Sequence, residues 1–255
     1  MEFVDTHCHV HFDSYGLDRE AVLADAAAAG VKRVICVGCT LADSEAAINF
    51  AAGHDNVWAT VGAHPHDGAD FLTAKNALAD FKRLSAQPKV VAIGEIGLDY
   101  FRSTVPMQDQ QESFRMQLQA GLETGLPFIF HVREAWDDFW KAVDQHQGIT
   151  GVVHSFSADE QQLDNALSRG LYVGLNGIMT FTKDESQLAA AKKVPLSRML
   201  LETDAPFLTP KPFRGKVCEP KHVVNTAEFL AELRGESLEQ IAEATTRNAV
   251  NLFGI

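Results

Sequence analysis

Phe3-Val4-Asp5-Thr6-His7-Cys8-His9 is the stretch of sequence from which the fold can be worked out, and it reads as a short apolar strand ending in His-x-His. Alternate residues of a β-strand point to the same face, so the side chains of His7 and His9 project side by side. Two imidazoles at that spacing can bind one divalent cation at the end of the strand. Taken alone, the pair is also consistent with a purely structural role, and later strands have to supply the missing ligands.

Seven further apolar runs follow along the chain, at 33–37, 57–62, 90–95, 127–131, 151–154, 171–175 and 199–202. Continuous apolar runs are typical of strands that are buried on both faces. Helices are predicted between them, one of them over 72–84, and two more helices over 223–234 and 238–252 end the chain.

Eight βα units without a break in composition predict an α/β fold, the closed (β/α)8 TIM barrel. We expect residues 1–255 to form a single domain of this kind, with an extra C-terminal helix. An open, doubly wound parallel sheet is the alternative. It is disfavoured because no Gly-x-Gly-x-x-Gly follows the first strand.

The composition is that of an ordinary globular enzyme, with 255 residues, 46% of them hydrophobic and 22% charged. No apolar run reaches the roughly 18 residues that a membrane-spanning helix needs. The chain begins directly with Glu2 and the His pair, without the basic and apolar regions of a signal peptide. We therefore expect a cytoplasmic protein, monomeric and without a membrane partner.

Four cysteines, Cys8, Cys36, Cys39 and Cys218, are too few and too scattered for a disulfide framework. The C-x-x-C formed by Cys36 and Cys39 suggests a redox pair or half of a zinc site. However, the chain has no second cysteine pair, and Cys36 lies inside an apolar run. A free cysteine in such a run usually packs as a small core residue, which favours the structural interpretation.

The formal net charge of −12 argues against a protein that coats nucleic acid through a broad basic face. It does not exclude a local phosphate site, because bound metal ions can be the largest charges in a pocket.

Residues of the types that bind metals follow directly on the apolar runs. Besides His7 and His9, they are His64, Glu95, His131, His154 and Asp204. In a (β/α)8 barrel the active site lies at the C-terminal ends of the strands, where these side chains would surround one opening. A single histidine at a strand end is usually a packing or capping residue, but this many of them predict a metal site.

With these motifs the sequence resembles the TatD-type metal-dependent deoxyribonucleases of the amidohydrolase superfamily. The resemblance covers essentially the whole chain. It rests on the stretches 3–9, Gly94-Glu95-Ile96-Gly97-Leu98-Asp99-Tyr100, 127–133 and Leu201-Glu202-Thr203-Asp204-Ala205-Pro206.

The resemblance implies a hydrolase with two divalent ions, which can be Mg, Mn, Zn or Ni. By that resemblance His7, His9, Glu95 and Asp204 hold one ion, Glu95, His131 and His154 hold the second, and Glu95 bridges them. The ions activate a water that attacks a phosphodiester, and Asp204 accepts its proton. The implied substrate is single-stranded DNA, trimmed one nucleotide at a time from its 3′ end.

Four further residues near these motifs have a functional and a structural interpretation. Arg133 lies two residues beyond His131 and can clamp a phosphate, or it forms a surface ion pair. His64 can contact a phosphate or protonate a leaving oxygen, or it only packs the opening. Glu202 is expected to orient other groups rather than bind metal. Asp5 is expected to be structural.

Two loops combine aromatic and basic residues, Tyr100-Phe101-Arg102 and Pro212-Phe213-Arg214-Gly215-Lys216. Such mixtures suit base stacking and backbone contact, with Tyr100, Phe101 or Phe213 as the stacking residue, although solvated loops have the same composition. His11 stands where the resembled family has Asp or Asn. It follows His7 and His9 at the same spacing and can reshape the substrate side of the site, which bears on the exact substrate and not on the metals.

Two other functions fit parts of this pattern. One is hydrolysis of a C–N or carboxyl ester bond of a small molecule, as elsewhere in the amidohydrolase superfamily. Many of those enzymes bridge their metals with a modified lysine, whereas Glu95 occupies the bridging position here. The other is a metal-stabilised binding protein without catalysis, which the complete set of predicted ligands disfavours.

Overall fold

Eight parallel β-strands form one sheet in sequence order, from β1 to β8, in a computed structural model that describes residues 1–255. They are β1 (Phe3–Cys8), β2 (Val31–Cys36), β3 (Val57–Val61), β4 (Val90–Asp99), β5 (Phe128–Arg133), β6 (Gly151–Val153), β7 (Tyr172–Leu175) and β8 (Met199–Leu201). The predicted (β/α)8 TIM barrel is confirmed. The strand bounds are close to the predicted ones except in β4, which continues to Asp99 instead of ending at Glu95.

Ten α-helices lie between and after the strands. They are α1 (Arg19–Ala28), α2 (Leu41–Ala52), α3 (Gly68–Thr73), α4 (Ala77–Ser85), α5 (Met107–Leu122), α6 (Trp136–Val143), α7 (Glu160–Ser168), α8 (Glu185–Lys193), α9 (Val223–Arg234) and α10 (Leu238–Phe253). The single helix predicted over 72–84 is wrong, because Ala74 takes an extended conformation that separates α3 from α4. Helix α10 is the predicted extra helix, and its Asn248 amide donates to the carbonyl of Met199 in β8 (2.8 Å). None of the ten is both long and apolar enough to span a membrane.

The chain divides into two compact units. The first consists of residues 1–36 and 155–255 and contains β7, β8, β1 and β2. The second consists of residues 37–154 and contains β3 to β6. That residues 1–255 act as a single domain stays a prediction.

In the first unit, the segment that follows β8 is bonded along the end of β1. The backbone N–H of Asp204 donates to the carbonyl of His7 (2.8 Å), and that of His9 donates to the carbonyl of Ala205 (2.6 Å). Residues from the two ends of the chain are thereby fixed side by side.

In the second unit, β4 approaches β5 more closely than a strand with side chains at every position would. Gly97 pairs with His131, has a φ of +148°, and has no room for a Cβ, which would lie 1.9 Å from the carbonyl oxygen of His131. Glycine supplies both this conformation and this approach. The result is that the β4 residues on either side of Gly97 come close to the residues of β5.

We expect Gly97→Ala to lower the free energy of unfolding by about 3 kcal/mol or more, because the new methyl group adds a clash to an unfavourable φ. Gly125→Ala is the matched control, since Gly125 also has a positive φ (+72°) but nothing within 4 Å of its Cβ position. That variant should lose only about 1 kcal/mol. Urea unfolding followed by circular dichroism measures both. Equal losses in the two variants would contradict the close approach of β4 to β5.

Candidate metal centre

The first unit brings together His7, His9 and Asp204, three of the predicted metal ligands. His7 Nε2 and His9 Nε2 lie 3.3 Å apart. Asp204 Oδ1 lies 3.6 Å from the first of these nitrogens and 3.4 Å from the second. Both imidazoles are buried, whereas 16% of the Asp204 side chain is exposed. The three ligand atoms therefore converge at the end of β1, and the carboxylate is the member most accessible to solvent.

Asp5 fixes the segment that carries Asp204. Its Oδ1 accepts a hydrogen bond from the Thr203 backbone N–H (2.9 Å), and its Oδ2 accepts one from the Thr203 hydroxyl (2.6 Å). Burial raises the pKa of the Asp5 carboxyl well above its usual value, although these hydrogen bonds oppose the rise. Asp204 itself has a φ of +61°, a left-handed conformation that Asp tolerates better than most residues. Asp5 is thus structural, as expected from the sequence.

Glu202 is buried and is held by donors of the same unit. Its Oε1 accepts hydrogen bonds from the backbone N–H of Ser155 (2.6 Å) and the side-chain amide of Asn176 (3.3 Å). The same amide also donates to the Ser155 hydroxyl (2.9 Å). Glu202 therefore anchors the loop that follows β6, a role in line with the predicted orienting function.

The second unit gathers three imidazoles around one carboxylate. Glu95 Oε1 lies 2.6 Å from His131 Nδ1, and 3.7 Å from both His64 Nε2 and His154 Nε2. The Glu95 side chain is 4% exposed, so its charge is almost removed from solvent. The backbone N–H of Glu95 donates to the carbonyl of Gly38 (2.9 Å). This bond fixes the part of β4 from which the Glu95 side chain projects.

His131 is held from both sides by carboxylates. Its Nδ1 faces Glu95, and its Nε2 lies 3.2 Å from Asp99 Oδ2. Burial lowers the pKa of His131, but the hydrogen bonds to Asp99 and Glu95 outweigh burial and raise it above the usual value. With Asp99 accepting from Nε2, Nδ1 is the nitrogen that faces Glu95. It donates to Glu95 in the metal-free protein, and loss of that proton would make its lone pair available to a cation. This is the usual arrangement of a metal-binding histidine and its supporting carboxylate.

Asp99 and His66 were not among the predicted site residues. His66 Nε2 lies 3.0 Å from Asp99 Oδ2, and Asp99 Oδ1 accepts from the backbone N–H groups of Phe101 and Arg102 (both 2.9 Å). Burial opposes ionisation of Asp99, but His131 and these N–H groups lower the pKa of the carboxyl below its usual value. Asp99 could have been found from the sequence. If β4 is extended beyond Glu95, the alternation of side chains in a strand places Asp99 on the same face as Glu95.

His64 is a neutral hydrogen-bond donor. Burial and the nearby positive charge of His131 lower the pKa of His64 to about 3. The backbone N–H of His66 donates to His64 Nδ1 (3.1 Å), so the single proton of the neutral ring resides on Nε2. His64 Nε2 lies 3.3 Å from His131 Nδ1, so the ring also packs inside the cluster, and its contact with a phosphate or a leaving oxygen stays a prediction.

Arg133 lies at the end of β5 with its guanidinium on the ring of Phe101. The guanidinium carbon is 4.4 Å from the ring centroid, and both side chains are exposed. The Tyr100 backbone N–H donates to the Arg133 carbonyl (2.9 Å), which keeps the end of β5 beside the residues that follow β4. Arg133 thus combines a fixed backbone, an exposed cation and an aromatic surface.

Among the predicted stacking residues, Phe101 is the one that is open to solvent. Tyr100 is half-buried, and its hydroxyl donates to Asp138 (2.9 Å) and accepts from Gln111 (2.6 Å). Phe213 is half-buried and stacks on His222, with ring centroids 4.9 Å apart. Both rings therefore have protein partners, whereas 57% of Phe101 is exposed.

Two basic residues predicted to contact a nucleic-acid backbone lie in the loop that follows β8. Arg214 lies over the ring of Phe181 at 3.7 Å and donates to the carbonyl of Thr209 (2.8 Å). Lys216 is exposed, with Nζ 5.7 Å from the centroid of Phe213.

His11 does not continue the row of His7 and His9. β1 ends at Cys8, and His11 lies in the turn that follows, 2% exposed and 4.9 Å from the ring of Phe12. The two-residue alternation therefore stops where the strand stops. The ring centroid of His11 nevertheless lies 6.1 Å from that of His9, and an effect of His11 on the substrate side stays a prediction.

The donor atoms of both groups suit divalent cations. In the second unit, the ligand atoms of His64, Glu95 and His131 all lie within 4.8 Å of one another. In the first unit, two imidazoles and a carboxylate converge in the same way. Mixed nitrogen and oxygen donors of this kind bind Zn, Mn, Ni or related ions.

Comparison with known proteins identifies the family. The family described as TatD related DNase matches residues 4–254. The chain belongs to the TatD family. It is a metal-dependent hydrolase of that family, and the resemblance found in the sequence is confirmed.

Among TatD-family relatives, an uncharacterized metal-dependent hydrolase, YabD of Bacillus subtilis, is 38% identical over 253 residues, 98% of either chain. A 3′-5′ ssDNA/RNA exonuclease, TatD of Salmonella typhimurium, is 34% identical and covers 94% of this chain and 95% of its own. The crystal structure of YJJV, a TatD homologue from Escherichia coli, superposes with a TM-score of 0.92 at 32% identity, covering 99% of this chain and 98% of its own.

We expect Asp99→Asn to weaken Zn²⁺ binding by about 10- to 100-fold, because His131 would lose the carboxylate that orients its ring. Isothermal titration of Zn²⁺ into the metal-free protein measures this. His66→Ala serves as the control, since it removes the other imidazole bonded to Asp99 and leaves the contact with His131. Affinity that falls in His66→Ala but not in Asp99→Asn would contradict this assignment.

Proposed function

We propose that the two groups hold two divalent ions and that the enzyme hydrolyses phosphodiester bonds at the ends of single-stranded DNA. One ion is bound by His7, His9 and Asp204, the other by His131 and His154, and Glu95 is the ligand shared by both. The observation that carries the proposal is that each unit presents its own converging set of imidazole and carboxylate donors.

In this proposal the side chains divide the chemical work. Bound divalent ions lower the pKa of water and offset the charge of a phosphate. Asp204, the accessible carboxylate of its group, accepts the proton of the attacking water. His64 donates its Nε2 proton to a phosphate oxygen, and its lowered pKa keeps the ring neutral for that contact. Glu95 is 4% exposed and surrounded by imidazoles, so it acts as a ligand and not as a base.

Single-stranded DNA ends suit the exposed cationic and aromatic groups at the ends of β4 and β5. Arg133 can clamp a phosphate, and Phe101 beneath it can stack a base. A net charge of −12 leaves no broad surface for duplex DNA. The relative named as a 3′-5′ ssDNA/RNA exonuclease supports this substrate class and the 3′ polarity.

Hydrolysis of a C–N or carboxyl ester bond is the second candidate. This reaction would use the same metal ions as phosphodiester hydrolysis. It would not need an exposed guanidinium stacked on an aromatic ring next to the site. Arg133 on Phe101 therefore favours the phosphodiester. A binding protein without catalysis is disfavoured because the metal-dependent hydrolase family is established.

Compartment and assembly remain those predicted from the sequence, the cytoplasm and a monomer. All four cysteines are free thiols, in keeping with a reducing compartment.

The wild-type protein should bind two ions per chain, and Asp204→Ala should retain one, because the donors in the second unit are left intact. Its turnover should fall by at least about 10²-fold through loss of the proton acceptor. Asp204→Asn should lose turnover in the same way as Asp204→Ala. The Asn side chain has the size of Asp and tolerates the positive φ, but it lacks the negative charge. Elemental analysis and hydrolysis of an oligonucleotide measure the two effects.

Asp55→Ala, at an exposed position, is the control. Near-normal turnover in Asp204→Asn would refute the role of Asp204, and one ion in the wild type would refute the two-ion site.

The enzyme should degrade linear single-stranded DNA and leave a circular single strand of the same sequence intact, because only the linear strand has an end. Binding to the linear strand should weaken with salt at a slope of about −2, since three neutralised phosphates contribute about −0.7 each. Electrophoresis of the digests and fluorescence anisotropy at several salt concentrations test the two statements. Equal rates on both DNAs would contradict an exonuclease.

A further inference from the structure

Two of the 16 phenylalanines are exposed, Phe101 and Phe207. Phe101, next to Arg133, is already part of the proposed function as a base-stacking residue. Phe207 was not singled out in the sequence, yet it lies three residues after Asp204, and 53% of it is exposed. It therefore offers a large aromatic surface in the segment that carries a proposed catalytic carboxylate.

The backbone around Phe207 is fixed. The N–H of Phe207 donates to the carbonyl of Asp204 (2.8 Å), and the N–H of Cys218 donates to the carbonyl of Pro206 (3.0 Å). Leu208 lies so close to Gly177 that a Cβ on the glycine would be 2.1 Å from the Leu208 carbonyl oxygen. The Phe207 ring is thus exposed although the backbone that carries it is held in place by hydrogen bonds and close packing.

The Phe207 ring borders the metal-binding group of the first unit. Its centroid lies 6.3 Å from that of His9, at an interplanar angle of 63°. On His9 the ring of Phe12 stacks at 4.5 Å and 22°, so His9 is packed by one aromatic residue and flanked by the other. Of these two phenylalanines, Phe207 is the one that remains exposed.

We propose that Phe207 is a specificity-determining residue that stacks on a base at the end of the nucleic-acid strand. The inference rests on the proposed function and adds to it a requirement for a base. A phenyl ring cannot bind a phosphate, but it can stack on any of the bases, and a ring already fixed in place loses little freedom when it does so. An enzyme that used only the ions and the phosphate would have no need of this surface.

The test compares two linear single-stranded oligonucleotides, one with bases throughout and one with abasic sites at its last two 3′ nucleotides. Stacking of one base corresponds to about 5- to 150-fold in affinity. Phe207→Ala should therefore raise KM for the base-bearing strand by that factor, with kcat within about two-fold of wild type. The same variant should leave KM for the abasic strand unchanged. Phe207→Tyr, which keeps the ring, should restore the wild-type KM.

Val217→Ala is the matched control, because Val217 is another exposed apolar residue of the same loop, at 39%. It should alter neither KM. Unchanged KM in Phe207→Ala, or an equal rise for both strands, would overturn the inference while leaving phosphodiester hydrolysis intact. If the wild-type enzyme with bound metal cleaved neither strand, the proposed function would fall, and this inference with it. Circular dichroism establishes that the variants are folded.

Discussion

The pairing of the Thr203–Ala205 segment with the end of β1 is the constraint on which the first metal-binding group depends. His7 and Asp204 are separated by almost the whole chain, and their side chains meet because the backbones of the two segments exchange hydrogen bonds. Asp5 strengthens the arrangement through two bonds to Thr203. A buried carboxyl is costly without such partners, so Asp5 and Thr203 stabilise each other's position. These hydrogen bonds hold the three proposed ligands together without a cation.

A different constraint shapes the second group, where charge is buried. Glu95 and Asp99 are both almost inaccessible to solvent, and both contact His131. A buried carboxylate without a compensating charge is strongly destabilising. In the metal-free protein His131 provides compensation, which accounts for its raised pKa. Burial and the proximity of His131 lower the pKa of His64, whereas the two carboxylates raise that of His131, so the two neighbouring imidazoles are shifted in opposite directions.

The sequence predicted the fold well, and the candidate metal-binding residues were found with it, because both follow from the strand pattern. Apolar runs defined the strands, and residues such as His131 and His154 stand where those runs end. The same rule failed where a strand does not end with its apolar run. β4 continues through Gly97 to Asp99, a feature that depends on how closely β5 can approach, and so Asp99 was missed. The alternation gives no guide to His11 for the opposite reason, because β1 stops before it.

Exposure is the property that the sequence conveyed least. Tyr100, Phe101 and Phe213 have equivalent sequence signals. In the structure, however, the Tyr100 hydroxyl is hydrogen-bonded to Asp138, and the Phe213 ring is stacked on His222. Phe207 directly follows the motif that contains Asp204, and no sequence pattern singled it out. Which aromatic ring remains open is decided by contacts between residues that are distant in sequence, and no local pattern records them.

An acidic protein that acts on a polyanion needs positive charge at the point of contact, and the distribution of charges here is consistent with that need. The carboxylates of the candidate site are accompanied by imidazoles and would be neutralised further by bound ions. Arg133 adds an exposed cation whose position is stabilised by Phe101. Under the proposed function, the net charge of −12 disfavours contact along a long strand, so affinity would come mainly from the end that enters the site. For the proposed substrate, repulsion along the strand and attraction at its end would together favour recognition of termini over binding within a duplex.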